Sequence, residues 1–221
     1  MSNILSQFER DILEAFFALE KTDAFVLTGG AALAEFYFQH RRSDDLDLFT
    51  LDEQAFIEVS QQAKRVAQTV GAEEKPIRSL ATLNQVSLER GGETVKIDFV
   101  RDSGPSFGQA LQRGRVRVDA LENIGANKIL ALFGRAAFRD YIDLYVILQT
   151  GRFTFEHLLS LAKQKDLGLQ EFYLANWIRQ QTPRLQSSPE MLKEIDLAEV
   201  KRYFLKLADE LMAGLNPDKQ P

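Results

Sequence analysis

Two aspartates separated by one residue are the first candidates for chemistry in this sequence. Asp45 and Asp47 lie in the run Asp45–Phe49, where polar and apolar residues alternate strictly and therefore predict a β-strand. Residues two apart on a strand point to the same face, so both carboxylates would stand side by side while Leu46 and Leu48 face the core. Adjacent carboxylates repel unless a positive charge lies between them, and Mg²⁺ fits because it prefers oxygen ligands. Two solvated acids on an exposed strand face are an equally good interpretation of this pair alone.

A third acid, Asp98, lies on a later predicted strand. Apolar residues between Thr82 and Arg101 flank Gly91-Gly92, a pattern typical of a β-hairpin. On the second strand of this hairpin, Lys96 and Asp98 would share one face. If that strand lies beside the one with Asp45 and Asp47, the three carboxylates could hold two metal ions, one for an attacking hydroxyl and one for a triphosphate.

A glycine pair, Gly29 and Gly30, follows the apolar run Ala24–Leu27 and precedes helix formers from Ala31 to His40. This order predicts a buried strand, a glycine turn and the start of a helix. Glycines allow a ligand to approach the backbone, and the free N–H groups at the start of a helix favour an anion such as phosphate. A lone glycine pair is more often a tight turn without any ligand.

The helix and strand patterns that would position these residues predict an α+β fold. Helical periodicity covers residues 4–20, 53–70, 120–150, 154–166, 169–180 and 196–213, and strand patterns cover 24–27, 45–49, 82–101 and 115–118. All strand patterns precede residue 119. We therefore predict two domains, an α+β core over 1–118 and a helical domain over 119–221.

Composition excludes several classes of protein. The 221 residues are 45% hydrophobic and 27% charged, which excludes disordered and fibrous chains. There are no cysteines, which excludes disulfides, thiolate zinc sites and cysteine nucleophiles. The sequence has no apolar stretch long enough to span a bilayer, and it begins with an acidic, helical segment. We therefore expect a cytoplasmic protein without a membrane partner.

Taken in order, these blocks resemble the AbiEii/AbiGii-type nucleotidyltransferase toxins of the polymerase-β-like nucleotidyltransferase superfamily. The resemblance covers residues 24 to 150 and includes a run of His-Arg, one residue, Ser or Thr, one residue and Asp-x-Asp-Leu, matched by His40, Arg41, Ser43, Asp45, Asp47 and Leu48. Two later blocks match as well and contain Lys128 on one helix and Arg139, Asp140 and Asp143 on the next. Ala31 departs from the pattern, because many members have Ser or Thr there. Phosphate binding would then depend on backbone N–H groups.

The resemblance implies a polymerase-β-like core, a small mixed sheet with flanking helices, followed by a C-terminal helical bundle. It implies Mg²⁺, with room for two ions, held by Asp45, Asp47 and Asp98, and a contact from Lys128 to the triphosphate that makes it the fourth catalytic residue. The nucleotide-binding set that it implies is Gly29, Gly30, Ala31, Ser43, Lys128, Arg139, Asp140 and Asp143. An Arg–Asp ion pair that only joins two helices is a structural alternative for Arg139 or Asp143.

The implied activity is transfer of a nucleoside monophosphate from an NTP to an acceptor hydroxyl. By resemblance the chain would be the toxin of a type IV toxin–antitoxin or abortive-infection system, with tRNA as one acceptor and an antitoxin encoded nearby as its partner. Two alternatives stay open. The acceptor could be a small molecule or a protein, or the fold could be a catalytically inactive binding module, with Ala31 as a sign of lost activity.

The charge distribution along the chain bears on whether the protein can bind nucleic acid. The formal net charge of -5 argues against a protein that coats nucleic acid by bulk charge. However, residues 101–139 contain seven basic and three acidic side chains, so this segment carries +4 and the rest of the chain -9. A basic segment of this kind is compatible with binding of an NTP or of one end of a tRNA. Arg115 and Arg117 also fit a solvated strand edge.

Overall fold

The computed structural model describes residues 4–43, 45–135, 137–186 and 191–215. Within these residues the chain forms seven β-strands and eight α-helices, which is the mixed α and β content predicted from the sequence. The chain divides into two compact units, Met1–Gly104 with Gly108–Leu121 and Pro105–Phe107 with Glu122–Pro221. The domain boundary predicted near residue 118 stays a prediction.

The first unit contains all seven strands. Its helices are α1 (Gln7–Phe16), α2 (Gly29–Ala32), which continues as a π-helical segment (Leu33–Phe38), and α3 (Glu53–Val70), with a 3₁₀ turn at Thr22–Ala24. Its strands are β1 (Phe25–Thr28), β2 (Asp45–Thr50), β3 (Glu73–Ser79), β4 (Leu83–Arg90), β5 (Glu93–Arg101), β6 (Leu111–Arg113) and β7 (Val116–Val118).

The strands form one mixed sheet in the order β3-β4-β5-β2-β1-β7-β6. Strands β2 and β5 pair in parallel, as do β1 and β7, and the other neighbours are antiparallel. Sequence patterns predicted neither β3 nor β6. Strand β3 is an almost fully exposed edge strand that contains Pro76 and a register shift, so it lacks the alternation that marks a half-buried strand.

One face of the sheet holds the core of the first unit. Leu46 and Leu48 of β2 are fully buried, and Leu48 is paired with Phe99 of β5. The Phe99 ring packs against Phe16 of α1 and Phe25 of β1, with centroids 5.5 and 6.2 Å away. Because side chains alternate along a strand, this burial directs the intervening aspartates of β2 to the opposite face.

The second unit contains the later helices: α4 (Leu121–Gly134), which begins at the last residue of the first unit, α5 (Phe138–Gln149), α6 (Phe155–Lys165), α7 (Glu171–Gln181) and α8 (Leu197–Gly214), with a 3₁₀ turn at Thr182–Arg184. The helical pattern over 120–150 is thus divided between α4 and α5. Helix α8 packs against α7 and α5, and the rings of Tyr141 and Phe204 lie 4.8 Å apart. That these helices form a C-terminal bundle stays a prediction. Across the described ranges, none of the helices is both long and apolar enough to span a membrane.

Candidate active site

Four charged side chains share the face of the sheet opposite the core, and we call them the acidic face: Asp45 and Asp47 on β2, and Lys96 and Asp98 on β5. In the parallel register, Asp45 lies beside Lys96 and Asp47 lies beside Asp98. All four are partly exposed; the side chains of Asp45 and Asp98 keep 28% and 17% of their accessible area. The structure therefore places both β2 aspartates on one face and brings the third predicted acid beside them.

Lys96 connects the acids of the two strands. Its Nζ lies 3.1 Å from Oδ2 of Asp98 and 3.8 Å from Oδ2 of Asp45. The amide of Gln85 on β4 also donates hydrogen bonds of 3.0 Å to both carboxylate oxygens of Asp98. Asp98 therefore accepts hydrogen bonds on both oxygens from neighbouring side chains of the sheet.

The carboxylate oxygens of the acidic face are chemically suitable ligands for a magnesium ion. Carboxylate oxygens are the ligands that this hard cation prefers, and one or two carboxylates usually suffice when substrate phosphates supply the rest. In the part of the chain that the structure describes, no group of three or more His, Cys, Asp or Glu side chains is gathered closely enough to hold a metal. The assignment of Asp45, Asp47 and Asp98 as metal ligands stays a prediction.

The glycine turn lies directly against the acidic face. Thr28 at the end of β1 is paired with Asp47, and Gly29 follows with a φ of +67°. A Cβ on Gly29 would overlap the Asp47 carboxylate, so a side chain at position 29 would be excluded both by backbone conformation and by space. A Cβ on Gly30 would collide with the Arg41 guanidinium and approach Oγ of Ser43 to 2.7 Å.

This packing brings together the predicted residues Gly29, Gly30, Ser43 and Asp47 around one turn. Ala31, the next residue of α2, is fully buried. The first N–H groups of a helix have no partner within the helix, so the start of α2 is where we expect backbone donors for a phosphate. The assignment of these residues to nucleotide binding stays a prediction.

A buried aspartate fixes the end of β1 before the glycine turn. Asp119, 2% exposed, accepts a 2.7 Å hydrogen bond from Oγ1 of Thr28, and its backbone carbonyl accepts one of 2.7 Å from the Tyr37 hydroxyl. These contacts join β1, the π-helical segment and the residue after β7. Sequence reasoning missed this role, because a single aspartate at the end of a strand has no pattern that indicates a partner 91 residues away.

Three further predicted residues form a buried ion cluster within the second unit: Lys128 of α4 with Asp140 and Asp143 of α5. Arg135, which follows α4 and is 55% exposed, joins this cluster. Nζ of Lys128 lies 2.9 Å from Oδ1 of Asp140 and 2.6 Å from Oδ2 of Asp143. Arg135 donates to both oxygens of Asp140 at 2.9 and 3.1 Å. The Lys128 side chain is 7% exposed and neither aspartate is exposed at all.

Charge pairing sets the ionisation of this cluster. Burial by itself would raise the pKa of Asp140, but the hydrogen bond from Arg135 and the charge of Lys128 outweigh it and hold this pKa below its ordinary value. Arg139 lies exposed in the first turn of α5. The predicted contact of Lys128 with a triphosphate, and the nucleotide-binding roles of Asp140, Asp143 and Arg139, stay predictions.

Sequence reasoning missed the contacts of Gln85 and Arg135 and the position of Lys96 between Asp45 and Asp98. For Lys96 a signal existed, since it alternates with Asp98 and must share its face. For Arg135, which lies five residues before Asp140, the contact depends on how the chain turns between α4 and α5.

Comparison with known proteins identifies a family and a fold. The sequence model of the family described as "Nucleotidyl transferase AbiEii toxin, Type IV TA system" matches residues 11–218. Two solved structures from Helicobacter pylori are similar in fold at 17% identity. JHP933 gives a TM-score of 0.60 over 95% of this chain and 90% of its own. A candidate nucleotidyltransferase gives a TM-score of 0.61 over 98% of this chain and 100% of its own. No curated protein matches the sequence.

Proposed function

The chain belongs to the AbiEii nucleotidyltransferase toxin family of type IV toxin–antitoxin systems, and from this premise we propose that it transfers a nucleoside monophosphate from an NTP to an acceptor hydroxyl in a Mg²⁺-dependent reaction. Membership implies nucleotidyl transfer and an antitoxin partner. The metal, the NTP and the acceptor are our proposals.

The observation that carries the proposal is the position of the acidic face beside the glycine turn. Asp47 is paired with Thr28 on one side and with Asp98 on the other. The backbone of Gly29 lies so close to the Asp47 carboxylate that no side chain would fit at position 29. A phosphate bound through backbone N–H groups at the start of α2 would lie next to these partly exposed carboxylates. That combination is what binding of a metal-complexed triphosphate requires.

In the proposed reaction the acceptor oxygen forms a bond to the α-phosphorus, the bond from that phosphorus to the bridging oxygen breaks, and pyrophosphate leaves. Asp45 and Asp47 would hold Mg²⁺, with Asp98 for a second ion or for the acceptor. The bound ion would activate the hydroxyl and offset the charge of the triphosphate. Gly29 and Gly30 would orient the phosphates through backbone N–H groups. The acceptor proton would pass to a carboxylate of this face or to solvent.

An RNA acceptor is supported by the β6–β7 hairpin. Arg113, Arg115 and Arg117 are all exposed, while Val116 and Val118, which alternate with Arg117 on β7, are buried. Exposed arginines of this kind can contact phosphates without reading sequence. We propose the acceptor end of tRNA as the acceptor, and transfer to a protein or a small molecule as the alternative that the same experiment can detect.

The test is incubation of the full chain with each α-³²P-labelled NTP, Mg²⁺ and either total tRNA, a protein extract or a small-molecule extract. Asp47→Asn serves as the inactive variant, and EDTA removes the metal. We expect label in the RNA with one NTP, and no label with Asp47→Asn or EDTA.

Label in protein or in small molecules would replace the tRNA proposal with one of its alternatives. Label that is incorporated equally by wild type and Asp47→Asn would contradict the assignment of the acidic face. If no fraction is labelled under any condition, the chain is a binding module and the proposed activity is wrong.

A further inference from the structure

The acidic face already contains a positive charge of its own. Lys96 is paired in register with Asp45 and stands two residues before Asp98 on the same face of β5. Its ammonium is within ion-pair distance of both carboxylates, at 3.8 Å from Asp45 and 3.1 Å from Asp98. Lys96 thus contacts two of the three acids to which the proposed function assigns the metal.

Asp98 positions this lysine. Gln85 donates to both oxygens of Asp98 at 3.0 Å, which fixes the plane of the carboxylate, and Lys96 donates to Oδ2 at 3.1 Å. A carboxylate has about four lone-pair sites, and Oδ2 of Asp98 already uses both of its own, so a cation that binds at Oδ2 must displace one of these hydrogen bonds. The hydrogen bond from Lys96 is the one that a second positive charge would weaken.

Lys96 and a divalent cation would each offset the repulsion between the carboxylates of the acidic face. Carboxylates held on one face repel each other, and a nearby cation offsets that repulsion. Two cations on the same oxygens repel each other, so both cannot be bound there at full strength. The Lys96 side chain is 35% exposed, and its ammonium stands on a four-carbon stem that can turn toward solvent.

We propose that Lys96 is the internal counter-ion of the acidic face and competes with the divalent cation for Asp45 and Asp98. The inference rests on the proposed function, because it assumes that a metal binds at this face. Lys96 acts as a positioning residue: it holds the acids in place before the metal arrives and leaves them when the metal binds. The affinity for the metal is therefore lower than the acids alone would give.

The test measures binding of Mn²⁺ alone to the full chain, without nucleotide, from the electron paramagnetic resonance signal of free Mn²⁺. Lys96→Met removes the charge and keeps most of the length, whereas Lys96→Arg keeps the charge. Lys75→Met is the matched control, since Lys75 lies on the same face of the sheet two strands from Lys96 and pairs with Glu89 at 2.5 Å.

We expect Lys96→Met to bind Mn²⁺ about three- to fivefold more tightly than wild type, the upper part of the range expected when a partly exposed ion pair no longer competes. Lys96→Arg and Lys75→Met should stay within about twofold of wild type. The melting temperature gives a second measurement: Lys96→Met should melt lower than wild type without metal and gain more from added Mn²⁺, because the bound ion replaces the missing charge.

Unchanged or weaker Mn²⁺ binding by Lys96→Met would overturn the inference, as would equal tightening by Lys96→Arg, which would point to shape and not to charge. Asp47→Asn separates this failure from that of the proposed function. If Mn²⁺ binding depends on Asp47 but not on Lys96, only the inference is wrong. If it does not depend on Asp47 in either the wild-type or the Lys96→Met background, the metal site and both proposals are wrong.

Discussion

The acidic face and the buried ion cluster contain the same basic unit, one lysine between two aspartates, in different surroundings. Lys96 lies 3.1 and 3.8 Å from its partners, and the three side chains are 17–35% exposed. Lys128 lies 2.6 and 2.9 Å from its partners, and those side chains are 0–7% exposed. Residue types alone would make the two sets look equivalent.

Burial gives these two sets opposite properties. Partly exposed ion pairs contribute only about 0–1 kcal/mol, because water and salt compete with the partner, so a ligand can exchange with Lys96 at little cost. Charges taken out of water depend on each other, and removal of one leaves an uncompensated buried charge. We therefore expect substitutions in the acidic face to change activity at nearly constant stability, and substitutions in the buried ion cluster to change stability first.

The largest expected effect is that of Asp47→Asn on activity. This change removes a proposed metal ligand, and nucleotide transfer should fall by about 10³-fold. The free energy of unfolding should change by less than about 1 kcal/mol, because contacts of a partly exposed carboxylate contribute little. Initial rates with labelled NTP, together with urea unfolding, measure both.

Asp11→Asn is the control for that prediction, since Asp11 pairs with Arg90 at 2.7 Å on the surface of the same unit. It should retain full activity. If Asp47→Asn lost as much free energy of unfolding as it lost transition-state stabilisation, the proposed difference between the acidic face and the buried ion cluster would be wrong.

Lys128→Met is the corresponding change in the buried ion cluster. It leaves Asp140 with Arg135 and takes the Lys128 charge from Asp143, so the free energy of unfolding should fall by about 3 kcal/mol. The double variant Lys128→Met/Asp143→Asn should lose less than the sum of the two single variants, because the buried charge is removed together with its partner. Urea unfolding of the four proteins measures this coupling, and strict additivity would contradict a shared ion cluster.

Gly29→Ala tests the contact between the glycine turn and Asp47. Gly29 and Gly71 have nearly equal φ values of +67° and +66°, but a Cβ on Gly71 has no atom within 4 Å whereas one on Gly29 would overlap the Asp47 carboxylate. Gly71→Ala should therefore cost about 1 kcal/mol of stability and leave activity unchanged. Gly29→Ala should cost about 2–3 kcal/mol and also lower activity, because it displaces a proposed metal ligand. Equal effects of the two variants would show that backbone strain alone matters at position 29.

The smallest expected effect is a difference in acid stability. The pKa of Asp140 is lower in the folded protein than its ordinary value, so its charged form contributes stability that is present above about pH 4 and is lost as the pH falls through the folded-state pKa. Asp140→Asn should therefore be less stable than wild type near neutral pH, and the gap should narrow as the pH falls below about 4. Chemical unfolding at roughly pH 3 to 7 measures the difference in free energy of unfolding between the two proteins. A difference that stays constant with pH would contradict the assignment.

Patterns in the sequence were sufficient for the elements that carry the acidic face. The alternation in Asp45–Phe49 predicted a strand with both aspartates on one face, and the glycine pair at Gly91-Gly92 predicted the hairpin that carries Asp98. These predictions succeeded because half-buried strands have a period of two that is visible in the residues themselves. Strand β3 was missed because an exposed edge strand with Pro76 has no buried side whose residues would alternate.

The sequence by itself determined which residues could do chemistry and that the β2 aspartates would share a face, since alternation along a strand follows from local backbone geometry. Only the tertiary structure decided which strand lies beside β2, that Lys96 stands between Asp45 and Asp98, and that Lys128 is enclosed by Asp140 and Asp143. The physical reason is that strand order, the turn between α4 and α5, and burial all arise from contacts between residues distant in sequence. Burial then decides whether a lysine between two aspartates can be exchanged for a ligand or serves to hold two helices together.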